Sequence, residues 1–333
     1  MENRKIGHLE VSKVAMGCMG FSHGYGEVPS RQYSIEAIQK AYQYGCTFFD
    51  TAESYGQQMF YKGHNEEIVG EALKDVRENV VIATKLKIED DELINASLYD
   101  VIKSHLQLSL KRLQTTYVDL YYLHRINPNI PVEDVAKVMG KLIEEGLIKA
   151  WGLSQVSVET IKKAHQITPL SAVQNIYSMM ERDAEKEVIP YCEQHHIGFV
   201  PFSPIASGFL SGKVTTETSF EGDDVRKFVP QLKKENIIAN QPILDLLEKY
   251  VQEKSTTKAQ ISLAWMLHKY PHIVPIPGSK NQERILENLK SSEIVLTNEE
   301  FEKLEHALNN LKIYGHRGQE EYQGNKMSQW GNK

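Results

Sequence analysis

The chain of 333 residues carries 38 basic and 44 acidic side chains, so its formal net charge is −6 and its isoelectric point is about 6.1. This balance excludes the strongly basic surface expected of a protein that binds nucleic acid or an anionic membrane. Hydrophobic residues make up 41% and charged residues 25% of the chain, which is typical of a soluble globular protein.

Cysteine content and apolar runs indicate the compartment. Cys18, Cys46 and Cys192 are an odd number without paired spacing, as in a protein of a reducing compartment. The first residues, MENRKIGHLEVSK, contain no apolar signal-peptide core, and the most apolar run, IGFVPFSPIASGFL, is interrupted by proline and glycine. We therefore expect a cytoplasmic protein with no membrane span and no nucleic-acid partner. The sequence does not indicate an oligomeric state.

Apolar segments of strand length alternate with amphipathic segments along the chain. Most are continuous apolar runs, which is typical of parallel strands that are buried on both faces. The predicted strands cover residues 14–19, 46–50, 80–85, 118–124, 150–154, 172–177, 197–203 and 273–278. Eight strands that alternate with helices predict a (β/α)8 barrel.

The residues beyond this repeat extend a barrel core of about residues 14–312. IGHLEVSK predicts a hairpin before the first strand, and TNEEFEKLEHALNNL predicts a closing C-terminal helix. Residues 206–255 form a long insertion after the seventh strand, with a helix near residues 240–253. Residues 313–333 are polar and are predicted to form a mobile tail. No linker divides the chain, so residues 1–333 are predicted to form one domain.

Polar side chains stand at the ends of three consecutive predicted strands. They are Asp50 and Tyr55 in TFFDTAESYG, Lys85 in VVIATK, and His124 in DLYYLHR. The active sites of such barrels lie at the carboxyl ends of the strands, so these groups would converge at one rim. An unpaired buried ammonium is costly, which makes Asp50 the expected partner of Lys85. Taken singly, Asp50 could equally be a turn residue, Tyr55 a tyrosine that packs in a loop, and His124 a histidine of the core.

Six short motifs along the chain point to a family. FFDTAESYG, IATK, YYLHR, GLSQV, VQNIYS and PFSPIASGFLSGK resemble, in the same order, the motifs of the aldo-keto reductase family, over about residues 17–288. The resemblance is strongest to plant and microbial members whose fourth strand ends in LHR. It implies a barrel enzyme that reduces aldehydes and ketones with NADPH. It places the catalytic tetrad of the family on Asp50, Tyr55, Lys85 and His124.

These four residue types suit carbonyl reduction. Hydride attack on a carbonyl leaves negative charge on oxygen, and Tyr55, a phenol with an ordinary pKa of about 10, would supply the proton. The Lys85 ammonium would lower the pKa of Tyr55, and Asp50 would keep Lys85 charged and fixed. His124 would orient the carbonyl and donate a hydrogen bond to the developing oxyanion.

The cofactor signal is also one of resemblance. The chain has no strand–GxGxxG–helix unit, which argues against a Rossmann site. In the resembling family the cofactor, NADPH or NADP+, lies extended across the barrel mouth. From the nicotinamide end to the adenosine end, the residues implied are Ser154, Gln155, Gln174, Asn175, Phe202, Ser203, Pro204, Ile205, Gly208, Leu210, Lys213, Gly278, Ser279, Lys280, Arg284, Glu287 and Asn288.

The preference for the phosphorylated cofactor depends on the 2'-phosphate site. The resemblance places Ser279, Lys280 and Arg284 there, and a guanidinium with an ammonium suits a phosphate dianion. An ordinary solvated helix start is the alternative interpretation. Gly278 stands where better-studied members carry a phosphate-binding lysine, so the preference for NADPH over NADH depends on Lys280 replacing it. Gln155 departs from the asparagine common in the family.

Substrate identity cannot be read from the sequence. The expected partner is a small-molecule carbonyl compound, bound by loops at 20–31, after Tyr55, after His124 and at 206–240. The predicted substrate residues are Met59, Phe60, Tyr61 and Arg125. The first three form an apolar wall in this interpretation and pack against the barrel rim in the alternative one.

Two other functions stay open. A Schiff-base lyase would use Lys85 as its nucleophile, although a neighbouring carboxylate disfavours this by keeping the amine protonated. A non-catalytic, cofactor-sensing interaction protein is the second alternative, because channel β subunits resemble the same family. The sequence contains no H-E-x-x-H or paired C-x-x-C spacing, and we predict no metal site.

Overall fold

The computed structural model describes residues 3–318. Its strands are β1 (Asn3–Ile6), β2 (Leu9–Ser12), β3 (Met16–Gly17), β4 (Phe48–Asp50), β5 (Val81–Leu86), β6 (Val118–Leu123), β7 (Ile148–Ser154), β8 (Ala172–Gln174) and β9 (Gly198–Phe199). Its helices are α1 (Arg31–Gln43), α2 (His64–Leu73), α3 (Leu98–Leu113), α4 (Val132–Glu144), α5 (Val158–Ile167), α6 (Val188–Gln194), α7 (Lys234–Ala239), α8 (Gln241–Lys254), α9 (Lys258–Lys269), α10 (Gln282–Lys290) and α11 (Asn298–Asn309).

The strands from β3 to β9 pair in chain order into one parallel sheet. Residues 273–278 lie between β9 and β3 and close this sheet into a barrel. Parallel bridges join Ile273 to Phe199 on one side and Gly278 to Gly17 on the other. Helices follow the strands along the chain, so the predicted (β/α)8 barrel is confirmed.

The closing segment is not a regular strand because two of its residues are prolines. Pro275 and Pro277 have no N–H group and cannot donate a hydrogen bond to β3. Their carbonyl oxygens accept hydrogen bonds from Ala15 N at 2.9 Å and from Gly17 N at 3.4 Å. Toward β9 the intervening N–H groups still donate. Residues 273–278 therefore keep the predicted pairing but lose part of the ladder.

Several other predicted strands are longer than the observed ones. The predictions at 14–19, 172–177 and 197–203 contain β3, β8 and β9, which have two or three residues each. Isolated hydrogen bonds continue the pairing beyond these strands, such as the one from Phe202 N to Asn175 O at 3.1 Å. The regular ladder ends early because the chain bends here into the loops of the barrel rim.

Side chains inside the barrel follow the two-residue period of its strands. The buried inner cluster comprises Ala15, Phe48, Val81, Ala83, Leu120, Tyr122, Ala150, Ala172, Val200, Val274 and Ile276, with Ile6, Leu9 and Val11 of the β1–β2 hairpin. The hairpin lies at the amino-terminal end, where Ile6 contacts Gly198. One period beyond Phe48, Ala83 and Tyr122 stand Asp50, Lys85 and His124. The period therefore turns these three side chains toward the inside of the barrel, at the carboxyl ends of their strands.

The structure also contains the elements predicted outside the repeat. β1 and β2 pair as an antiparallel hairpin, the insertion after β9 holds α7 and α8, and α11 is the closing helix. The sequence prediction for the C terminus needs a correction, because residues 313–318 do not begin a free tail. Asn240 Nδ2 donates to Tyr314 O at 2.9 Å, and Arg317 N donates to Glu181 Oε2 at 2.8 Å. The rest of the predicted tail, 319–333, lies outside the described residues.

Residues 3–318 contain neither a membrane-spanning helix nor a cluster of metal ligands. No helix in this part of the chain is long and apolar enough to cross a bilayer. The same residues contain no group of three or more histidine, cysteine, aspartate or glutamate side chains placed to hold a metal ion.

Candidate active site

A buried ion pair joins the carboxyl ends of β4 and β5. Lys85 Nζ donates to Asp50 Oδ1, to Thr51 O at 2.7 Å and to Tyr55 Oη at 3.1 Å. The Lys85 side chain is 0% exposed and that of Asp50 is 2% exposed. An ammonium has three N–H bonds, and each of them here has an acceptor. Asp50 is thus the partner that the sequence predicts for Lys85.

The second oxygen of Asp50 is also satisfied. Gln174 Nε2, at the end of β8, donates to Asp50 Oδ2 at 2.8 Å. Sequence reasoning placed Gln174 only beside the cofactor and missed this contact. A buried carboxylate is tolerated when its charge is paired and its remaining oxygen is hydrogen-bonded, and Gln174 meets the second condition.

Burial and nearby charges shift the pKa values of Lys85 and Tyr55 in opposite directions. Burial lowers the pKa of Lys85, but the charges of Asp50 and Tyr55 outweigh it and hold the pKa above its ordinary value. Burial raises the pKa of Tyr55, and Lys85 only partly opposes this. Lys85 lowers the pKa of Tyr55 as the sequence predicts, but burial, which the sequence does not reveal, has the larger effect and leaves this pKa above its ordinary value. Both groups hold their protons at neutral pH.

Two imidazole rings flank Tyr55. His124 meets it edge-on with ring centroids 5.8 Å apart, and His23 lies at 5.6 Å with a tilt of 43°. Burial, reinforced by Arg125 and Lys85, holds the pKa of His124 well below its ordinary value, so this ring is neutral at neutral pH. Sequence reasoning named the loop at 20–31 but not His23, and the place of this residue in that loop was its only signal.

Arg125 and Ser154 meet on the nicotinamide side of the implied cofactor site. Arg125 Nη1 donates to Ser154 Oγ at 3.1 Å and also to the carbonyl oxygen of His124. Burial lowers the pKa of Arg125 to about 10. The guanidinium thus lies beside the predicted tetrad, and its substrate role stays a prediction.

The amides of Gln155 and Asn175 brace the loops after β7 and β8. Gln155, with φ of 56°, accepts from Ile176 N at 3.2 Å through its side-chain oxygen. The Asn175 amide accepts from Val156 N at 3.1 Å and donates to Val156 O at 2.8 Å. Both side chains are buried, and these bonds fix the edge of the barrel mouth where the resemblance places the nicotinamide.

The loop after β9 combines strained backbone with an unsatisfied hydroxyl. Ser203, Ala206 and Ser207 have φ of 53°, 47° and 56°, which non-glycine residues adopt at a cost. Gly208 follows with φ of 97°. Ser207 Oγ is buried and has no hydrogen-bond partner within the described part of the chain. Strain and an orphaned polar atom in one loop are typical of a ligand-binding site.

Most side chains of this loop are hydrogen-bonded or at least partly buried. Ser203 Oγ accepts from Arg317 Nε at 2.9 Å. Pro204 and Leu210 are buried, whereas Phe202 and Ile205 are partly exposed toward the mouth. Arg317 is a further residue of the site that sequence reasoning missed, because a predicted free tail hid its contacts.

The two predicted phosphate-binding cations differ in their surroundings. Lys280 Nζ donates to Tyr25 O at 2.8 Å and to Glu27 O, so it is tied to the loop after β3. Arg284, on the first turn of α10, is exposed, and no ion pair of its side chain is seen within residues 3–318. Of the two, Arg284 is the cation that a phosphate can reach without displacing another contact.

The remaining residues implied for the adenosine end lie along the same edge. Gly278 is exposed, and Ser279 Oγ accepts from Asn281 N at 3.1 Å. Glu287 accepts from Thr257 Oγ1 at 2.9 Å and lies 3.9 Å from Lys213 Nζ, while Asn288 is buried. The structure thus brings both ends of the implied cofactor site to one face of the barrel.

The predicted apolar substrate residues lie at the outer rim. Met59, Phe60 and Tyr61 are 47%, 47% and 48% exposed. Phe60 stacks on His64 with ring centroids 4.0 Å apart, and Tyr61 Oη donates to Glu67 Oε2 at 2.7 Å. The three side chains form an exposed patch that rests on α2, and their contact with a substrate stays a prediction.

Comparison with known proteins decides the family. The model of the aldo/keto reductase family matches residues 13–309. The chain belongs to the aldo/keto reductase family. It is therefore an oxidoreductase of the class that acts on carbonyl groups.

Individual relatives agree with this assignment. This aldo/keto reductase is 36% identical over 305 residues, 90% of its length and 86% of the relative's, to "Probable aldo-keto reductase 1" of Glycine max. A glycerol dehydrogenase from Gluconobacter oxydans is 27% identical with a TM-score of 0.81, over 93% of this chain and 95% of that one. An aldo-keto reductase from Klebsiella pneumoniae, crystallised with NADPH, is 25% identical with a TM-score of 0.71, over 92% and 95%.

In this aldo/keto reductase the loop that carries Tyr55 is held by a charged network that sequence reasoning missed. Glu53, which is buried two residues before Tyr55, contacts His105 Nδ1 at 2.8 Å and Lys62 Nζ at 3.3 Å. His105 Nε2 contacts Glu92 Oε1 at 2.7 Å on the other side. His105 is the titratable residue on the apolar face of α3, and this isolated polar position was the signal available in the sequence.

We predict that the stability contributed by His105 depends on pH. Burial lowers its pKa, but Glu53 outweighs burial and holds the pKa above the ordinary value. Protonation therefore stabilises the fold fully below about pH 6.5, and the contribution is lost as pH rises through the higher folded value. His105→Gln should lower the free energy of unfolding by about 1–3 kcal/mol at pH 6 and by less at pH 9.

Urea denaturation of wild type and variant at both pH values measures this difference. His8→Gln is the matched control, because His8 is exposed on the hairpin turn and its replacement should leave the free energy of unfolding nearly unchanged. A deficit of the same size at both pH values for His105→Gln would show that the charge of His105 contributes nothing.

Proposed function

We propose that this protein is a cytoplasmic, NADPH-dependent reductase that converts aldehydes or ketones to alcohols, with Tyr55 as the proton donor. The observation that carries the proposal is the hydrogen-bonded chain Asp50–Lys85–Tyr55 beside His124. The three buried, free cysteines agree with a reducing compartment.

Each group of the tetrad has one task. NADPH, when bound, supplies the hydride to the carbonyl carbon. The Tyr55 hydroxyl gives its proton to the carbonyl oxygen, and water returns a proton to Tyr55 after the alcohol forms. The Lys85 ammonium, 3.1 Å from Tyr55 Oη, stabilises the phenolate that this transfer leaves. Asp50 keeps Lys85 charged and in place.

The electrostatics favour Tyr55 over His124 as the acid. A histidine with a pKa well below its ordinary value is neutral at neutral pH and has no surplus proton to give. A neutral imidazole still has one N–H, which can donate a hydrogen bond to the carbonyl oxygen as negative charge develops. His124 therefore orients and stabilises, and Tyr55 transfers the proton.

The residues present fit an extended dinucleotide phosphate. The strained loop at 203–208, with its orphaned Ser207 hydroxyl, offers polar groups for a pyrophosphate. The exposed guanidinium of Arg284 offers a charge for the 2'-phosphate, and Phe202 offers an aromatic face for the nicotinamide. The relative crystallised with NADPH supports the same cofactor for this chain.

The same contacts weigh against the lyase alternative. A Schiff base requires an unprotonated amine, but Lys85 has three acceptors and a pKa above its ordinary value. The non-catalytic alternative differs from the reductase only in that it turns over no carbonyl compound, so a measurement of kcat distinguishes the two.

We predict that Tyr55→Phe lowers kcat for aldehyde reduction by about 10²- to 10⁴-fold, because it removes the general acid. NADPH binding, followed by quenching of protein fluorescence, should be nearly unchanged. Tyr117→Phe removes a hydroxyl that donates to Glu78 just before β6, at the end of the barrel opposite the tetrad, and is the matched control, with turnover close to wild type. Wild-type turnover in Tyr55→Phe would contradict the assignment, and wild-type protein that turns over no carbonyl compound would favour the non-catalytic alternative.

We also predict that Arg284→Ala erodes the preference for NADPH over NADH. Loss of one charge-assisted phosphate contact costs roughly 1.5–3 kcal/mol, or about tenfold to over a hundredfold in affinity for NADPH. NADH lacks the 2'-phosphate and should bind nearly as before. Lys290→Ala, at the far end of α10, is the control variant. Equal losses for both cofactors in fluorescence titration would make Arg284 a general structural residue.

A further inference from the structure

His23 carries a buried polar atom that the proposed reaction does not use. Its Nε2 is shielded from solvent and has no hydrogen-bond partner within the described residues. The centroid of its ring lies 5.6 Å from that of Tyr55, and the Tyr55 hydroxyl already accepts a hydrogen bond from Lys85. A buried nitrogen without a partner is destabilising, so a histidine at this position calls for an explanation.

We propose that His23 hydrogen-bonds a second oxygen of the substrate, so that the enzyme prefers carbonyl compounds with a hydroxyl or carbonyl oxygen on the neighbouring carbon. This inference rests on the proposed function, because it places the reacting carbonyl at Tyr55. A second oxygen only one carbon away from the reacting carbonyl would lie within reach of a ring that contacts Tyr55.

The chain on both sides of His23 is fixed. Before it, Ser22 Oγ accepts from Asn65 Nδ2 at 2.8 Å and lies 2.9 Å from His64 Nδ1. After it, Gly24 N donates to Asp223 Oδ2 at 2.6 Å, and Gly24 O accepts from Val225 N at 3.1 Å. The backbone therefore holds the ring beside Tyr55 instead of letting Nε2 turn out to water.

The charge state of His23 suits recognition of an uncharged oxygen. Burial lowers its pKa, although Asp223 acts in the opposite direction, so the ring is neutral at neutral pH. A neutral imidazole nitrogen can donate to a carbonyl oxygen in one tautomer, and to a hydroxyl it can either donate or accept. Because Tyr55 already has Lys85 as its partner, His23 serves recognition and leaves proton transfer to Tyr55.

The test uses three aldehydes of nearly equal size, reduced with NADPH by wild type and by His23→Phe. They are 2-hydroxypropanal and 2-oxopropanal, which carry the second oxygen, and 2-methylpropanal, which does not. We expect His23→Phe to lower kcat/KM about tenfold or more for at least one oxygen-bearing aldehyde, mainly through KM. The value for 2-methylpropanal should change less than about threefold.

Two controls keep the outcome interpretable. His23→Gln retains a side-chain hydrogen-bonding group and should recover part of the lost preference. NADPH binding and the thermal midpoint of His23→Phe should match wild type, since this variant keeps an aromatic ring at the position. Equal effects of His23→Phe on all three aldehydes, or no effect, would overturn the inference and leave the proposed function standing. Wild-type protein that oxidises NADPH with none of the three would also overturn the inference, whereas the proposed function fails only if wild type turns over no carbonyl compound at all.

Discussion

The Lys85 ammonium, buried at the end of β5, is the group on which the rest of the active site depends. Its three N–H bonds reach one carboxylate, one backbone carbonyl and one phenol, so it fixes Asp50, Thr51 and Tyr55 relative to each other. A buried charge of this kind is tolerated only with its full set of partners. Gln174 completes the set from the far side of Asp50. The ion pair thus holds Tyr55, the proposed proton donor, in place, and its ammonium would stabilise the phenolate that proton transfer leaves.

The barrel supplies the geometry that this ion pair needs. The two-residue period of the strands turns apolar residues inward through the core and then polar residues at the carboxyl end. Adjacent parallel strands place Asp50 beside Ala83 and Lys85 beside Tyr122, so the ends of neighbouring strands bring together groups that are far apart in the chain. The hairpin closes the amino-terminal end with apolar side chains, which leaves the carboxyl end as the open face.

The sequence predicts those features that repeat or that lie on strands. The eight apolar segments predict the barrel, and polar residues at strand ends predict the tetrad, because strand direction and period follow from local pattern. Contacts between side chains that lie far apart in the chain are not predicted in this way. The bond from Gln174 to Asp50 spans 124 positions and that from His105 to Glu53 spans 52, and both depend on register and rotamer. His23 likewise shows no pattern beyond its loop.

Burial is the other quantity that the sequence hides. Lys85 lowers the pKa of Tyr55 as its charge requires, but the extent of desolvation, which decides the net direction, depends on how the loops fold over the phenol. In the same way, the polar composition of residues 313–318 predicts a free tail, whereas the fold buries Arg317 against Ser203. Prolines at 275 and 277 are visible in the sequence, but their effect on barrel closure follows only from which neighbour each residue faces.

The pH dependence of kcat, at saturating NADPH and aldehyde, tests most directly which group gives the proton. Tyr55, with a pKa above its ordinary value of about 10, stays protonated throughout, and His124, with a pKa well below about 6.5, stays neutral. We therefore expect a kcat that is flat from about pH 6.5 to pH 9. A kcat that rises several-fold as pH falls through about 7 to 6 would assign the proton to a histidine and contradict the role of Tyr55 as the proton donor.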